Sequence, residues 1–177
     1  SAFRSCSFLS SVTIPDSVTH ISQKAFSCCF QLTSITLPSG LTAIESGTFD
    51  LCKSLTTIDI PDSVAAIADD AFIGCKALQS FTLSPNHPYF FLADDALCRT
   101  ADSTLLLYPN AREPRTYRIP DGITAISAYA FYDCDLLESV VVPDSVTQLP
   151  ARAFSGCSAL ASVSLPDSLT EIGIAAF

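Results

Sequence analysis

The sequence predicts a solenoid of stacked repeats, and two observations support that prediction. The stretch from Leu137 to Cys157 recurs at a fixed 23-residue interval with the pattern L-x-x-[VI]-x-[VIL]-P-x-[SG]-[VL]-x-x-[IL]-x-x-x-A-F-x-x-C. Three of its positions recur together: an aromatic (Phe3, Phe26, Phe49, Phe72, Phe131, Phe154, Phe177), a proline (Pro15, Pro38, Pro61, Pro120, Pro143, Pro166) and a cysteine (Cys6, Cys29, Cys52, Cys75, Cys134, Cys157). A fixed period of about 20 to 50 residues indicates supersecondary units that stack to share one continuous core.

Each repeat is predicted to begin with a short strand that buries one face, because apolar residues alternate before the proline, as at Ile35 and Leu37. The proline ends the strand, and the Asp-Ser or Ser-Gly that follows it turns the chain. The second half of the repeat is compatible with either a helical turn or a bent second strand. The predicted core of the repeats comprises Phe26, Cys29, Leu32, Ile35, Leu37, Phe49, Cys52, Leu55, Phe72, Cys75, Phe131, Cys134, Phe154 and Cys157.

One segment interrupts the array. The pattern is regular over residues 1–83 and 116–177 and is lost over 84–115, where Ala96 to Thr100 and Thr104 to Tyr108 form two apolar runs around a polar Ala-Asp-Ser. These runs predict a β-hairpin. We therefore expect a single repeat array over 1–177 with one irregular, hairpin-bearing repeat. Because the chain starts and stops at the same phase of the repeat, we also expect it to be a fragment of a longer array.

Charge and cysteine usage exclude several classes of partner. The net charge is −9, with 9 basic and 18 acidic residues, so neither nucleic acid nor an anionic membrane surface is an expected partner. The apolar runs are too short for membrane insertion. Six of the eight cysteines occupy one repeat position, which predicts packed, reduced thiols rather than a disulfide framework.

The repeats resemble the BspA-like leucine-rich repeats. The segments Phe26 to Pro38 and Ala153 to Leu160 are similar to that family's A-F-x-x-C-x-x-L-x-x-[IV]-x-[IL]-P repeat. The resemblance implies a curved right-handed superhelix with short parallel β-strands on the concave face and irregular, short helical or extended segments on the convex face. It further implies a surface-exposed or secreted protein of a host-associated microbe that is used in cell adhesion.

Catalytic and metal motifs are missing from the sequence, so we predict no enzyme, no cofactor and no metal. The histidines are His20, at a variable repeat position, and His87, in a Pro-flanked turn without a second His or Cys in register. The paired acids Asp69-Asp70 and Asp94-Asp95 lie outside any calcium-loop pattern. A hydrolase is a distant alternative that only His87 motivates.

Two surfaces remain as candidates for binding. The predicted concave face carries small hydroxyl side chains, which suit a glycan or an extended peptide, although threonines that favour β-structure explain them equally well. The irregular repeat gathers aromatic and basic residues that the regular repeats avoid, and the candidate patch is Tyr89, Phe91, Arg99, Arg112, Arg115 and Arg118. A structural alternative is that Tyr89, Phe90 and Leu92 fill the core.

The predicted function is a non-enzymatic protein-binding module that acts in cell-surface adhesion or host interaction, through the concave face or the irregular repeat. Its partner would be a protein of a host or neighbouring cell, or a glycan. The alternative is a structural spacer or stalk segment with no ligand of its own. The sequence gives no indication of the oligomeric state.

Overall fold

The computed structural model describes residues 2–177, which form two compact units, 2–89 and 90–177. Each unit is a series of short strands joined by turns. The strands of the first unit are β1 (Ser11–Thr13), β2 (Ser34–Thr36), β3 (Ala43–Ile44), β4 (Thr57–Asp59), β5 (Ala66–Ile67) and β6 (Ser80–Thr82). Those of the second are β7 (Phe90–Ala93), β8 (Ala96–Arg99), β9 (Thr104–Leu107), β10 (Thr116–Arg118), β11 (Ala125–Ile126), β12 (Ser139–Val141), β13 (Gln148–Leu149), β14 (Ser162–Ser164) and β15 (Glu171–Ile172).

The regular strands stack in parallel at an offset of one repeat. Ser11 pairs with Ser34 and Ser139 with Ser162, and in both pairs the partners are one repeat period apart, so the sequence period is the strand register. In β2 and β4 the middle residue is buried and its neighbours are exposed, as the alternation predicts. The repeat solenoid predicted from the sequence is thereby confirmed.

The second half of each regular repeat is extended. In every regular repeat except the first it forms a two-residue strand (β3, β5, β11, β13 and β15) followed by consecutive turns. Of the two alternatives left open by the sequence, the bent second strand is therefore the one observed. None of residues 2–177 is helical, so the described chain has no helix that could cross a membrane.

Aromatic rings form a stack along the core of each unit. In the first unit Phe49 lies between Phe26 and Phe72, with ring centroids 5.8 and 5.2 Å away. In the second unit Phe131 lies 4.7 Å from Phe154 and 5.1 Å from Tyr108. The predicted core residues are buried except for Cys157, which is half-buried.

The cysteine thiols follow the aromatic stack and donate to its backbone. Cys52 Sγ donates to the carbonyl oxygen of Phe26 at 3.3 Å, and Cys75 Sγ donates to that of Phe49 at 3.2 Å. Burial raises the pKa of the Cys52 thiol to about 12 and that of Cys75 well above its ordinary value. Such thiols are protonated at neutral pH and pack as small apolar groups.

The turn before each regular cysteine needs a left-handed backbone. The preceding residue has a positive φ in every regular copy: Ser5, Cys28, Leu51, Gly74, Asp133 and Gly156. Only glycine adopts this conformation without a steric penalty from Cβ, yet four of the six residues have a side chain. Cys28, which lies outside the cysteine ladder, occupies this position.

We expect Cys28→Gly to stabilise the protein by about 1 kcal/mol, because glycine relieves the left-handed strain at φ 63°. Urea unfolding under reducing conditions would measure the change. Cys28→Ala is the matched control, since it removes the thiol and keeps Cβ. If the alanine variant gains as much stability as the glycine variant, backbone strain is not the cause.

The irregular segment forms an antiparallel three-stranded meander. β7 pairs with β8 and β8 pairs with β9, in the sheet order β11-β9-β8-β7. The β7–β8 turn consists of Asp94 and Asp95, both with positive φ, as a tight hairpin turn requires. The β8–β9 pairing corresponds to the two apolar runs read from the sequence, and β7 is an additional strand.

Tyr108 returns the chain to the regular repeat. It lies one repeat period before Phe131, stacks on that ring, and its N–H donates to Ala130 O just as the N–H of Phe131 donates to Ala153 O. Tyr108 therefore occupies the repeat's aromatic position. The interruption is consequently one ordinary repeat with 13 additional residues, since Tyr108 follows Phe72 by 36.

Candidate functional site

The strand face of the first unit is a set of hydroxyl rows. The outward residues are Ser11 and Thr13, Ser34 and Thr36, Thr57 and Asp59, and Ser80 and Thr82. Neighbouring rows are close enough for Ser80 Oγ to donate to Thr57 Oγ1 at 3.3 Å. This face carries small polar groups and one carboxylate, without an aromatic or arginine anchor.

The strand face of the second unit is more varied. Its outward residues are Thr116 and Arg118, Ser139 and Val141, and Ser162 and Ser164. An open, mainly polar groove of about 580 Å³ runs beside them toward the Asp-Ser turns. In this groove Arg118 lies 3.3 Å from Asp121, while Asp144 and Asp167 expose their carboxylates one turn apart.

Each arginine of the candidate patch has an acidic partner. Arg99 lies 2.9 Å from Asp102, Arg112 lies 3.0 Å from Asp95, and Arg115 contacts both Glu113 and Glu138 at 3.2 Å. Arg99, Arg115 and Arg118 remain substantially exposed, so their ion pairs are weak and can be exchanged for contacts with a partner. The Glu113–Pro114 peptide bond beside Arg115 is cis.

Arg112 instead has a structural environment. Its side chain is 13% exposed, and its guanidinium carbon lies 5.8 and 5.6 Å from the ring centroids of Tyr108 and Tyr117. The ion pair with Asp95 attaches the β7–β8 turn to the loop after Tyr108. Arg112 therefore stabilises the irregular repeat and leaves little of its side chain available to a partner.

The apolar members of the irregular segment divide between core and surface. Phe90 is buried at 2% exposure, whereas Tyr89 and Leu92 are 43% and 39% exposed. The structural alternative, in which all three fill the core, holds for Phe90 and is wrong for Tyr89 and Leu92. Phe91 is half-buried and packs against the core of the second unit.

The two core tyrosines of the irregular repeat differ in one hydrogen bond. Tyr117 Oη donates to Ala93 O at 2.8 Å, whereas the buried hydroxyl of Tyr108 has no hydrogen-bond partner among the described residues. Burial raises the pKa of Tyr108, and an interaction with the Arg112 guanidinium, whose geometry falls short of a regular hydrogen bond, offsets part of that rise. An unpaired buried hydroxyl is a cost to folding.

We therefore expect opposite results from two isosteric changes. Tyr108→Phe should be neutral or stabilising by up to about 1 kcal/mol, since phenylalanine occupies this position in the regular repeats. Tyr117→Phe should destabilise the protein by about 1 to 2 kcal/mol, because Ala93 O loses its donor. Denaturant unfolding of both variants measures the two changes in stability. Equal losses of stability in the two variants would contradict the difference in hydrogen bonding between Tyr108 and Tyr117.

The histidines have very different environments. His87 is 7% exposed, with Nδ1 accepting from Tyr89 N–H at 3.3 Å and Nε2 lying 3.0 Å from Pro61 O. Both its nitrogens are held by backbone, which makes His87 a turn-stabilising residue rather than an acid or base. His20 is exposed and lies beside Ser22 and Glu45, an arrangement that its variable repeat position did not indicate. Within residues 2–177, no three acidic, His or Cys side chains are grouped as metal ligands.

Parallel three-residue strands offset by one repeat period, each followed by a proline turn and a stacked Phe and Cys, define a leucine-rich-repeat solenoid. In six copies, residues 1–93 and 110–177 match the family described as the BspA type leucine rich repeat region. The chain belongs to this BspA-type family. No curated protein matches the sequence significantly.

Solved bacterial leucine-rich-repeat structures are similar to this chain. A leucine rich cell surface protein from Faecalibacterium prausnitzii A2-165 is 34% identical, with a TM-score of 0.83 over 99% of this chain and 52% of its own. The pneumococcal vaccine antigen PcpA is 20% identical, with a TM-score of 0.84 over 94% of this chain and 47% of its own, and its likeness concerns the fold alone. The chain thus spans about half the length of these relatives.

Proposed function

We propose that this chain is a protein-binding module of a cell-surface protein, and that its irregular repeat contacts a protein of a host or neighbouring cell. The observation that carries the proposal is the difference between the two kinds of surface. The strand face presents mostly short hydroxyl side chains, whereas residues 90–115 expose Leu92 and the long side chains of Arg99 and Arg115. Binding of this kind needs no chemical step and no cofactor.

Family membership and the relative from F. prausnitzii support a location at the cell surface, because that relative is described as a cell surface protein. The exposed side chains support recognition, since arginine and large apolar residues supply most of the binding energy at protein interfaces. A rigid array that carries one irregular segment is also a common arrangement for recognition.

The test compares capture of solubilised cell-surface and matrix proteins by three forms of the chain. One is intact, one carries Leu92→Ser, Arg99→Ala and Arg115→Ala, and one carries Thr36→Ala and Thr57→Ala on the strand face. We expect partners that the intact chain and the strand-face variant retain and the triple variant loses. Partners lost only by the strand-face variant would show that the strand face is the binding site. Capture unaffected by either variant would contradict binding by either surface.

A structural spacer is the second candidate, and the internal ion pairing of Arg99, Arg112, Arg115 and Arg118 favours it. A side chain neutralised within its own chain needs no partner. Replacement of the segment in its parent protein by an unrelated solenoid of equal length is the corresponding test. Restored function would support the spacer, and failure of the replacement would count against it.

A further inference from the structure

An exposed arginine of the second unit lies against a tyrosine and has no acidic partner. The guanidinium carbon of Arg152 lies 6.0 Å from the ring centroid of Tyr129, and within residues 2–177 the guanidinium has neither an ion pair nor a side-chain hydrogen bond. The Tyr129 ring is itself in edge-to-face contact with Tyr132, with the ring centroids 5.6 Å apart. These three residues form a tyrosine–arginine patch that belongs to neither of the surfaces tested above.

The repeat geometry explains why Arg152 stacks on Tyr129. The two residues are one repeat period apart and occupy the same position of successive turns, where both have a positive φ, 63° at Tyr129 and 59° at Arg152. Tyr132 N–H donates to Tyr129 O at 2.9 Å, and this turn holds the two rings side by side. Asn110 Nδ2 donates to Tyr132 O at 2.9 Å and attaches the turn to the preceding one. The patch is therefore presented by an ordered backbone.

The backbone at Tyr129 and Arg152 is of the left-handed kind that favours glycine. Their counterparts with positive φ in other turns are Lys24, Gly47 and Ala175, so Tyr129 is the one aromatic residue among them. A side chain at such a position costs backbone strain energy. Deep burial does not offset the strain here, because Arg152 is exposed and Tyr129 is half-buried. Strain that is kept without a gain in packing is typical of ligand-contacting positions.

Arg152 differs from the other arginines of the second unit, each of which has a carboxylate partner in its own chain. Arg112 also stacks on tyrosine rings, but its side chain is 13% exposed and paired with Asp95. Arg152 shares the stacking of Arg112 without its ion pair. A guanidinium stacked through its face keeps its N–H edge free, and that edge matches a carboxylate with two parallel hydrogen bonds. The group that fits this edge is therefore a carboxylate.

The surroundings of the patch favour a protein over a polyanion as the source of that carboxylate. The chain has a net charge of −9, Asp133 and Asp135 follow Tyr132 closely, and Arg152 is the one basic residue of the patch. A polyanion needs a row of basic residues, and the field of this acidic chain repels it. Tyrosine and arginine are enriched among the residues that supply most of the binding energy at protein interfaces, and tyrosine rings pack well against a further aromatic side chain.

We propose that Tyr129, Tyr132 and Arg152 form a second docking site, which binds an acidic segment of a protein partner. The Arg152 guanidinium binds an Asp or Glu carboxylate of that segment, and the two tyrosines pack against an aromatic side chain next to it. This site goes beyond the binding assigned to the irregular repeat and contains none of the residues changed there. The failure of one proposal and the failure of the other are therefore distinguishable.

The test selects phage-displayed random dodecapeptides on the intact chain and measures the affinity of the enriched peptides by fluorescence anisotropy. We expect peptides with Asp or Glu next to an aromatic residue. Arg152→Gln should weaken their binding about 10- to 100-fold, because a charge-assisted pair of hydrogen bonds is lost, and Arg152→Lys should recover only part of it. Tyr129→Gly should weaken binding about 10-fold and keep the fold, because Gly47 occupies the same position of its turn.

The matched control is Arg4→Gln, which removes an exposed arginine of the first unit and should leave the affinity for these peptides unchanged. The variant with Leu92→Ser, Arg99→Ala and Arg115→Ala should also bind them as the intact chain does. Hyaluronan, a carboxylated polysaccharide, is titrated in the same way and should not bind. The proposal is overturned by any of four results: no enrichment of acidic peptides, affinity unaffected by Arg152→Gln, loss of binding in the triple variant, or hyaluronan binding that depends on Arg152.

Discussion

Raising the pH from 8 to 10 should lower the free energy of unfolding by about 4 kcal/mol. Three buried thiols cause the loss. Burial raises the pKa of Cys52 and Cys98 from 9.0 to about 12, and it raises the pKa of Cys75 well above 9.0. The unfolded chain exposes all three, so at pH 10 each thiol ionises in the unfolded state alone.

The sign follows from the direction of the shift. A thiol with a higher pKa in the folded state favours folding while both states are protonated, below about pH 9, and this contribution declines as the pH rises toward the folded value. At pH 10 the loss is about 1.4 kcal/mol for each thiol. Small domains are stable by about 5 to 15 kcal/mol, so alkaline unfolding should begin near this pH.

Denaturant unfolding from pH 7 to 10.5 in the presence of a reductant measures the effect. The control variant carries Cys75→Ala and Cys98→Ala, which removes two of the three thiols and should reduce the pH dependence to about a third. The lower stability of this variant at pH 7 does not affect the comparison, because the quantity measured is the slope of the free energy of unfolding against pH. A slope equal to that of the unsubstituted chain would show that these thiols are not the cause.

Phe49→Ala should destabilise the protein by about 3 to 5 kcal/mol. The ring is fully buried and stacks between Phe26 and Phe72, so its removal leaves a cavity and breaks two aromatic contacts. The neighbouring turns cannot close the cavity without shifting the strand register. The stability of a solenoid is the sum of the stability of each repeat and of the interfaces between neighbouring repeats. The substitution should therefore weaken the interfaces between neighbouring turns and lower the urea midpoint of unfolding.

Phe8→Ala is the control for the loss of a phenylalanine as such. This ring is 85% exposed, and its removal should change stability by less than about 0.5 kcal/mol. Urea unfolding followed by circular dichroism suits both variants. A loss below about 1 kcal/mol for Phe49→Ala would mean that the aromatic stack does not hold the turns together.

The regular turns could be predicted because one interval specifies both sequence and register. When Ser11 pairs with Ser34, every other position of the repeat is also placed one turn above its copy. The buried Phe, Cys and Leu positions therefore follow from the repeat period alone. The extended second half was ambiguous, because apolar spacings of three and four suit both a helical turn and a bent strand.

The irregular repeat was predicted only in part. The apolar run from Thr104 predicts Tyr108 as the end of a hairpin strand, although its distance of one repeat period from Phe131 is a signal for the aromatic position. Tyrosine replaces phenylalanine there, and Ala111 stands where a cysteine would follow, so the motif was concealed. The pairing of Arg112 with Asp95, 17 residues earlier, depends on the β7–β8 turn and could not be read from spacing.

The contacts of the two histidines also could not be predicted from the sequence. His20 and Glu45 belong to successive repeats, and only the stacking of those turns brings them to 3.6 Å. The Pro-flanked turn makes His87 the more conspicuous histidine in the sequence, and the structure shows both of its nitrogens in contact with backbone groups. In a stacked array, side chains of successive turns contact one another, so residues one repeat apart must be compared as neighbours.

The 13 additional residues before Tyr108 make the irregular repeat a natural grafting point. The chain leaves the regular pattern, forms a self-paired meander, and resumes the pattern at Tyr108 in its ordinary phase. Loop closure costs rise only slowly with length, so the inserted segment can be exchanged for a longer one at small energetic cost. A foreign hairpin could therefore replace β7 and β8 while β9 and Tyr108 keep the downstream turns in register, giving a scaffold that displays a chosen loop.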